Sequence, residues 1–251
     1  MLKIRVMPTL LFKDVGLVKG VRFTSDRRVG AALQAIRVYN RRGVDELVFL
    51  DVTATPSGRP PDFAQIDHLA DECFMPLTVG GGVRSIDDFA RLLAVGADKV
   101  SINSAALADP TLIARVSQRF GAQCVVVAID ARRQGGGWRV HSHCGTRPTE
   151  LDPVTWARRC EALGAGEILL TSIDRDGTMQ GYDIELTRRV SEALSIPVVA
   201  SGGAGDYAHM AAVLTQGMAS AVAAASIYHF TEKTPREAKV YLKARGLAMR
   251  V

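Results

Sequence analysis

The chain has 251 residues, 47% of them hydrophobic, enough for one large domain with an ample core and short for two ordinary ones. Its four cysteines, Cys73, Cys124, Cys144 and Cys160, show no C-x-x-C pairing, which argues against zinc ribbons and disulfide frameworks and fits a reducing cytoplasm. A net charge of +5 raises nucleic-acid binding as a possibility, but the basic residues (Arg41, Arg42, Arg158, Arg159, Arg188, Arg189) are scattered and aromatics are only 6%. Solvated helix faces and an anionic substrate explain that balance better. No signal-peptide pattern and no bilayer-length apolar run is present, so neither nucleic acid nor membrane is an expected partner.

In chain order, apolar β-rich runs alternate with helical periodicity. A strand over Ile4–Leu10 leads through a long connection, Phe12 to Arg28, into a helix over Val29–Arg42. Strand Leu47–Val52 and helix Phe63–Glu72 follow, then strand Leu77–Val79 and helix Ile86–Val95. Strand Lys99–Ile102 pairs with helix Pro110–Gln118. Strand Cys124–Ile129 precedes a second long connection, Arg132 to Glu150, with a small hairpin over Trp138–His143, and then helix Pro153–Leu163. The remaining units are Ile168–Ser172 with Ile184–Leu194, Val198–Ser201 with Tyr207–Gln216, and Ala221–Ala224 with Pro235–Arg245. Polar caps mark several helix starts: Ser85, Asp109-Pro110, Asp152-Pro153 and Thr234-Pro235. Eight strands alternating with eight helices, and no linker, predict an α/β fold: a single (β/α)8 barrel domain over residues 1–251. Both long connections follow strand C-termini, where barrel active sites and their lids lie.

The two halves repeat. Pro76 and Pro197, Gly81 and Gly202, Gly96 and Gly217, and Glu46 and Glu167 are each 121 residues apart. The barrel is thus expected to consist of two duplicated half-barrels, each carrying a strand, a glycine turn and a helix: Leu77-Thr-Val-Gly-Gly-Gly82 and Val198-Val-Ala-Ser-Gly-Gly203. Glycine turns opening helices let amide N–H groups converge on an anion. Asn103 and Ser104 end the strand next to the first turn; Ala225 and Ser226 stand correspondingly next to Ser201, Gly202 and Gly203. Two such sites on one face predict a substrate with a phosphate at each end.

Asp130 ends the fifth strand and Asp176 follows the sixth, so the two carboxylates can face each other across the mouth and exchange protons. Asp51 ends the second strand, where capping is an equal expectation. Lys19, in the first long connection, is placed either to touch a substrate or to be solvated. At the opposite end, Arg5, Glu46, Lys99 and Glu167 lie at strand starts. Two acids and two bases there can form a salt-bridged ring, a stability feature by the usual role of that face. No metal site is expected, since His141-Ser-His143 lacks partners at ligand spacing, and no cofactor is expected either.

Several stretches together resemble the cyclase subunit of imidazole glycerol phosphate synthase over essentially the whole chain. They are Asp45-Glu-Leu-Val-Phe-Leu-Asp51, Val79-Gly-Gly-Gly-Val-Arg84, Ala97-Asp-Lys-Val-Ser-Ile-Asn103, Val125-Val-Val-Ala-Ile-Asp130, Gly164 through Thr178, and Ala200-Ser-Gly-Gly-Ala-Gly205. The resemblance implies a barrel that forms a heterodimer with a separate glutaminase subunit. Ammonia from the partner would enter at the bottom and cross to a bisphosphorylated substrate at the top. It makes Arg5, Glu46, Lys99 and Glu167 the gate and Asp98 a partner-docking residue. It also implies that Asp130, Lys19, Thr171, Asp176 and Ser201 are active-site residues and that Gly82, Asn103, Ser104, Gly203, Ala225 and Ser226 contact phosphate.

One departure bears on mechanism. The family's first strand ends Pro-Cys-Leu-Asp-Val-Lys, and that Asp is thought to work opposite Asp130; here the stretch is Pro8-Thr-Leu-Leu11-Phe-Lys13. Leucine cannot transfer a proton, and losing a positioned acid or base costs on the order of 10²–10⁴ in rate. Leucine occurs there in a branch that resembles the synthase subunits amidating acetamido sugars of bacterial surface polysaccharides (lipopolysaccharide included). Glu72-Cys-Phe-Met-Pro-Leu77 and Arg59-Pro-Pro-Asp-Phe63 also look like that branch, whereas Lys19-Gly20 and Thr78-Val79 look like the histidine branch. The sequence therefore favours sugar amidation, with the histidine-pathway cyclase as the near alternative. A catalytically weak scaffold activating a glutaminase and the related histidine-pathway sugar isomerase remain open; the latter needs no ammonia gate.

Overall fold

The computed structural model describes residues 3–250. Eight strands form the barrel: β1 (Arg5–Lys13), β4 (Leu47–Asp51), β5 (Leu77–Gly80), β6 (Lys99–Ile102), β7 (Val125–Gln134), β10 (Glu167–Ser172), β11 (Val198–Ser201) and β12 (Ala221–Ala224). Each pairs in parallel with the next, β12 returns to β1, and the β7–β10 pairing closes the ring, giving the expected (β/α)8 barrel. The helices between them are α1 (Ala32–Arg41), α2 (Phe63–Ala70), α3 (Ile86–Ala94), α5 (Thr111–Phe120), α6 (Pro153–Ala162), α7 (Ile184–Ser191), α8 (Tyr207–Thr215) and α10 (Pro235–Lys243). Two short helices, α4 (Ser104–Ala108) and α9 (Ser226–Phe230), follow β6 and β12. They were not foreseen: five residues are too few for a helical period to stand out. Among the described residues, no helix is long and apolar enough to cross a membrane.

Local chemistry places the helix starts. Asp152 accepts from the Val154 and Thr155 N–H groups, Ser85 from Asp88, and Thr234 with Glu237 forms a reciprocal capping box. Helix α5 begins at Thr111, one residue later than expected, with Pro110 at its N-cap position; Asp109, just before it, accepts the Thr111 N–H at 3.0 Å. Helix α1 begins at Ala32 and not at Val29, because β3 runs as far as Gly30.

The larger core lies between strands and helices, where Phe49, Phe89, Trp156, Ile36 and Leu112 are fully buried. The barrel's own interior is narrow and is filled by Met7, Val48, Val126, Leu169, Val199, Ala221 and Ala223. Interior side chains alternate along each strand. On β1 that sets Arg5 at the bottom, Met7 in the plug and Leu11 at the top.

The two long connections are ordered β-structure. Chain 12–28 is a ribbon: β1 runs on to Lys13 and pairs with β2 (Gly16–Val21), which pairs with β3 (Thr24–Gly30). Leu17 and Val18 are buried, which anchors the ribbon. In the second connection β7 extends to Gln134 and turns at Gly135-Gly136 (φ 58° and 81°) into β8 (Gly137–Ser142) and β9 (Arg147–Pro148). Glycines at both central positions suit the type I′ turn that matches strand twist.

Below the barrel, the buried Lys239 ammonium of α10 donates to the Asp45 carboxylate (2.7 Å) and the Gly43 carbonyl (2.8 Å). Asp45 also accepts the Val6 N–H at 3.0 Å, so the last helix ties together the starts of β1 and β4. Lys239→Ala would leave that carboxylate buried without a counter-charge. We expect it to lower unfolding stability by about 3 kcal/mol, read as a reduced urea midpoint.

Candidate active site

The top of the barrel opens into a cavity of about 640 Å³. The two acids and the lysine anticipated as catalytic, Asp130, Asp176 and Lys19, all line it. So do Gly82, Asn103 and Ser104 from the first half and Thr171, Ser201, Gly202, Gly203, Ala225 and Ser226 from the second. The strand register explains their convergence: Thr171 sits between Asp130 on one neighbour and Ser201 on the other.

Asp130 faces the cavity, and one of its oxygens accepts from the Asn103 amide at 3.2 Å. Burial pushes its carboxyl up to about 7, helped by the negative charge of Asp176 and opposed by a hydrogen bond from Thr171. Its surface is partly open because it borders the cavity, yet the residue is set into the barrel mouth, and the direction of the shift follows from desolvation. A carboxyl poised near neutrality can both accept and donate a proton. Asp176 is placed differently. Lys19, itself buried, donates to it at 2.6 Å, so Lys19 is not a solvated loop residue. Leu11 lines the cavity beside its register partner Leu50, which leaves Asp130 without a carboxylate partner from β1.

Two glycine cradles flank this centre. Gly81 and Gly82 (φ 105° and 75°) and Gly202 and Gly203 (φ 90° and 107°) adopt backbone that other residues rarely enter. Each faces the start of a short helix, α4 or α9, whose first N–H groups lack intrahelical partners. The Ser226 and Thr9 hydroxyls are buried, have no protein partner and border the cavity. At the first cradle, by contrast, the expected phosphate contacts are partly spoken for. Asn103 bridges Asp130 to the Ala128 and His141 carbonyls, and the Ser104 hydroxyl accepts the His143 N–H at 2.9 Å. These two side chains brace the mouth.

Both β-excursions fold over the cavity. The β2–β3 turn holds Arg22 and Phe23 at φ 53° and 63°, which costs about 1 kcal/mol or more for each non-glycine residue. Docking offsets this: the Arg22 N–H donates to the Asp176 carbonyl (2.8 Å) and its guanidinium to the Asp174 carbonyl (3.2 Å). A Cβ at Gly177 would lie 2.1 Å from the Gly20 carbonyl, so only glycine permits this approach. Phe23 lies against Gly145 of the second excursion, so the two lids meet. His143 and Cys144 (φ 51° and 54°) also border the cavity, as do Thr55 and Arg59 from the loop after β4. Sequence reading gave none of these four a site role: Arg59 stood only as part of a family-like stretch and His143 only as the end of a hairpin, and their approach to the cavity depends on long-range folding. Asp51 binds loop amides and caps no helix: it accepts from the Thr53 and Ala54 N–H groups and holds Arg59.

At the bottom, Arg5, Glu46, Lys99 and Glu167 close into a ring. Arg5 bonds Glu46 (2.6 Å) and Glu167, and Lys99 bonds Glu46 (2.9 Å) and Glu167 (2.8 Å). Thr78 donates a further bond to Glu46 at 2.7 Å. Burial alone would push the Glu167 carboxyl up, but Arg5 and Lys99 outweigh it and hold it below its ordinary value. Asp98, adjacent to Lys99, is exposed on this face, with one oxygen on the Leu77 N–H at 2.8 Å.

The chain matches the model of the family described as "Histidine biosynthesis protein" over residues 5–234, and it belongs to that family, whose members are barrel enzymes of the isomerase or cyclase kind.

The shift of Asp130 has a stability consequence. From about pH 4, the unfolded value, to about pH 7, the folded state holds a proton that the unfolded chain releases. Stability from this group is therefore full below pH 4 and lost as pH rises through 7. Asp130→Asn should accordingly melt higher than the parent at pH 8, by roughly 1–2 kcal/mol after screening by cavity water, and equally at pH 4. A pair of thermal melts at each pH checks this.

Proposed function

We propose that the protein is the synthase subunit of a glutamine-dependent amidotransferase, adding ammonia to a phosphorylated acetamido sugar in surface-polysaccharide synthesis. The choice of acceptor rests on one observation: Leu11 stands in the cavity wall opposite the face that carries Asp130, Asn103 and Thr171. A cyclase relying on an acid–base pair would be short of one member there. The closed ion-pair ring supports the ammonia-handling half of the reading, since breaking and remaking four charged contacts can admit a small neutral molecule on the barrel axis. Asp98 would help seat the glutaminase on that bottom face.

In this reading the two cradles hold the acceptor's phosphate groups and the lids exclude water. Ammonia arrives from below. Ammonia's nitrogen attacks the acetamido carbon, and Asp130, poised near 7, relays two protons in turn from that nitrogen to the carbonyl oxygen, whose C–O bond breaks so that it leaves as water and the amidine remains. Lys19, held on Asp176, closes the site from above and places a positive charge near the developing oxyanion.

The histidine-pathway cyclase is the second reading. The buried Lys19–Asp176 pair favours it, because Asp176 borders the same cavity as Asp130 and could serve as the second proton carrier.

The purified chain, given the bisphosphorylated aminoimidazole precursor of the histidine pathway and excess ammonium at raised pH, distinguishes the two. We expect the precursor to bind and to turn over on the order of 10²–10⁴ more slowly than with a typical cyclase, and Leu11→Asp to recover much of that loss. Turnover at a typical cyclase rate would sink the sugar reading. Unchanged glutaminase activation in Asp130→Asn, with product formation unaffected, would instead favour a scaffold.

A further inference from the structure

The lids repeat along with the barrel. Arg22-Phe23 and His143-Cys144 keep the 121-residue offset, and all four residues take left-handed backbone (φ 53°, 63°, 51° and 54°). Each turn rests on a loop of the other half: Arg22 on the Asp174 and Asp176 carbonyls, Cys144 on the Val52 carbonyl at 3.2 Å. One feature of this docking has no copy. Beside the β2–β3 turn, Arg22, Arg133, Asp174, Arg175, Gln180 and Asp183 line a pocket of about 310 Å³ that shares no lining residue with the main cavity. At the 121-residue offset its three arginines correspond to His143, Phe12 and Ala54. The positive charge gathered here is therefore no remnant of the duplicated cradles.

The three guanidiniums come from three separate segments: the tip of the first lid, the β7 arm of the second, and the loop that carries Asp176. Their donors are mostly uncommitted. Arg175 is exposed and its side chain has no partner among the described residues. Arg22 donates through Nε alone, to the Asp174 carbonyl at 3.2 Å, which leaves both Nη groups open. Arg133 meets only the Glu185 carboxylate, at 3.4 Å, through Nη2. The two acids in the wall, by contrast, are engaged by uncharged donors. Asp174 accepts the Arg133 N–H at 2.7 Å. Asp183 accepts the Leu186 N–H (3.1 Å), the Trp138 indole N–H (3.0 Å) and the Ser172 hydroxyl (3.4 Å). Three cations with free forks thus face two acids that are already bonded elsewhere. Open guanidinium edges converging on one pocket match the paired oxygens of a phosphate group.

We propose that this pocket is a separate binding site for a free anion of the diphosphate class, and that filling it ties both lids to the loop between β10 and α7. That loop carries Asp176, which holds Lys19 of the first lid at 2.6 Å. An anion bridging Arg22, Arg133 and Arg175 therefore favours the closed mouth. It acts as an effector beside the reaction and is no part of the acceptor, because the pocket and the main cavity have separate walls.

The test uses ¹⁵N-labelled full-length protein at pH 7 and constant ionic strength, titrated with inorganic pyrophosphate. The Trp138 indole N–H and the Arg133 amide, both bonded to the pocket's acids, report this site, and the Gly203 amide reports the main cavity. We expect both pocket signals to move to saturation, and succinate to bind there about ten-fold more weakly. Arg175→Gln removes a side chain that holds nothing in the free protein, so the fold should be untouched. It should weaken pyrophosphate at the pocket by about ten-fold or more and leave Gly203 unchanged. Arg158→Gln, the same charge change at an exposed helix position outside both cavities, should do nothing. Amide exchange in β2 and β3 should slow as the pocket fills, and should need correspondingly more pyrophosphate in Arg175→Gln. Pyrophosphate that moves Gly203 but neither pocket signal overturns the site, as does equal weakening by the two variants. Succinate binding as tightly overturns the phosphate assignment, and unchanged lid exchange at a filled pocket overturns the effector role.

Discussion

Everything in this molecule depends on the closure of one parallel hydrogen-bonded ladder, made between Glu167–Ser172 and Val125–Gln134. Parallel pairing sends all eight strand C-termini to one end, and closure brings the first half's strand ends opposite the second's. The side-chain period of two then decides what each end holds. Alternate inward positions on β1 and β10 carry Arg5 and Glu167 at the bottom, Met7 and Leu169 in the middle, and Leu11 and Thr171 at the top. A slip of one residue would turn each of these outward.

The two ends treat charge in opposite ways. The bottom gathers two acids and two bases into direct contact, so each carboxylate is compensated and Glu167 stays ionised. At the top no cation meets Asp130 among the described residues: its hydrogen-bond partners are an amide and a hydroxyl, and the charge of Asp176, just past the neighbouring strand, repels it. An ionised Asp130 is costly there, and that cost makes it a competent proton carrier near neutral pH. With leucine at position 11, the mouth keeps one such group on this face where a paired arrangement would have two.

The lids belong to the same economy of the fold. Strained backbone at Arg22-Phe23 and at His143-Cys144 persists because each turn is held by contacts to the other excursion or to the barrel rim. Glycines at 145 and 177 make those contacts possible by leaving no Cβ in the way. The loop that carries Arg59 is held from the barrel side by Asp51, Thr53 and Arg84, while Asn103 and Ser104 beside the first cradle are braced by the second lid.

By itself the sequence determined the barrel, the duplication and the identity of most residues at its two ends. The reason is that buried parallel strands read as unbroken apolar runs such as Val125-Val-Val-Ala-Ile129, and that a repeat offset and glycine turns survive without any knowledge of contacts. It left Lys19 and Asp51 ambiguous, read residues 12–28 as a loop and 132–150 as a loop with a small hairpin, and gave no site role to Arg59, Thr55, His143 and Cys144. Only the tertiary structure decided these. A lysine is buried at a cavity or merely solvated according to whether a carboxylate 157 residues away meets it, as Asp176 does. An arginine in a non-periodic loop acquires direction only when a neighbouring carboxylate fixes one edge of its guanidinium. Such facts depend on long-range pairings, for which local propensity carries no signal.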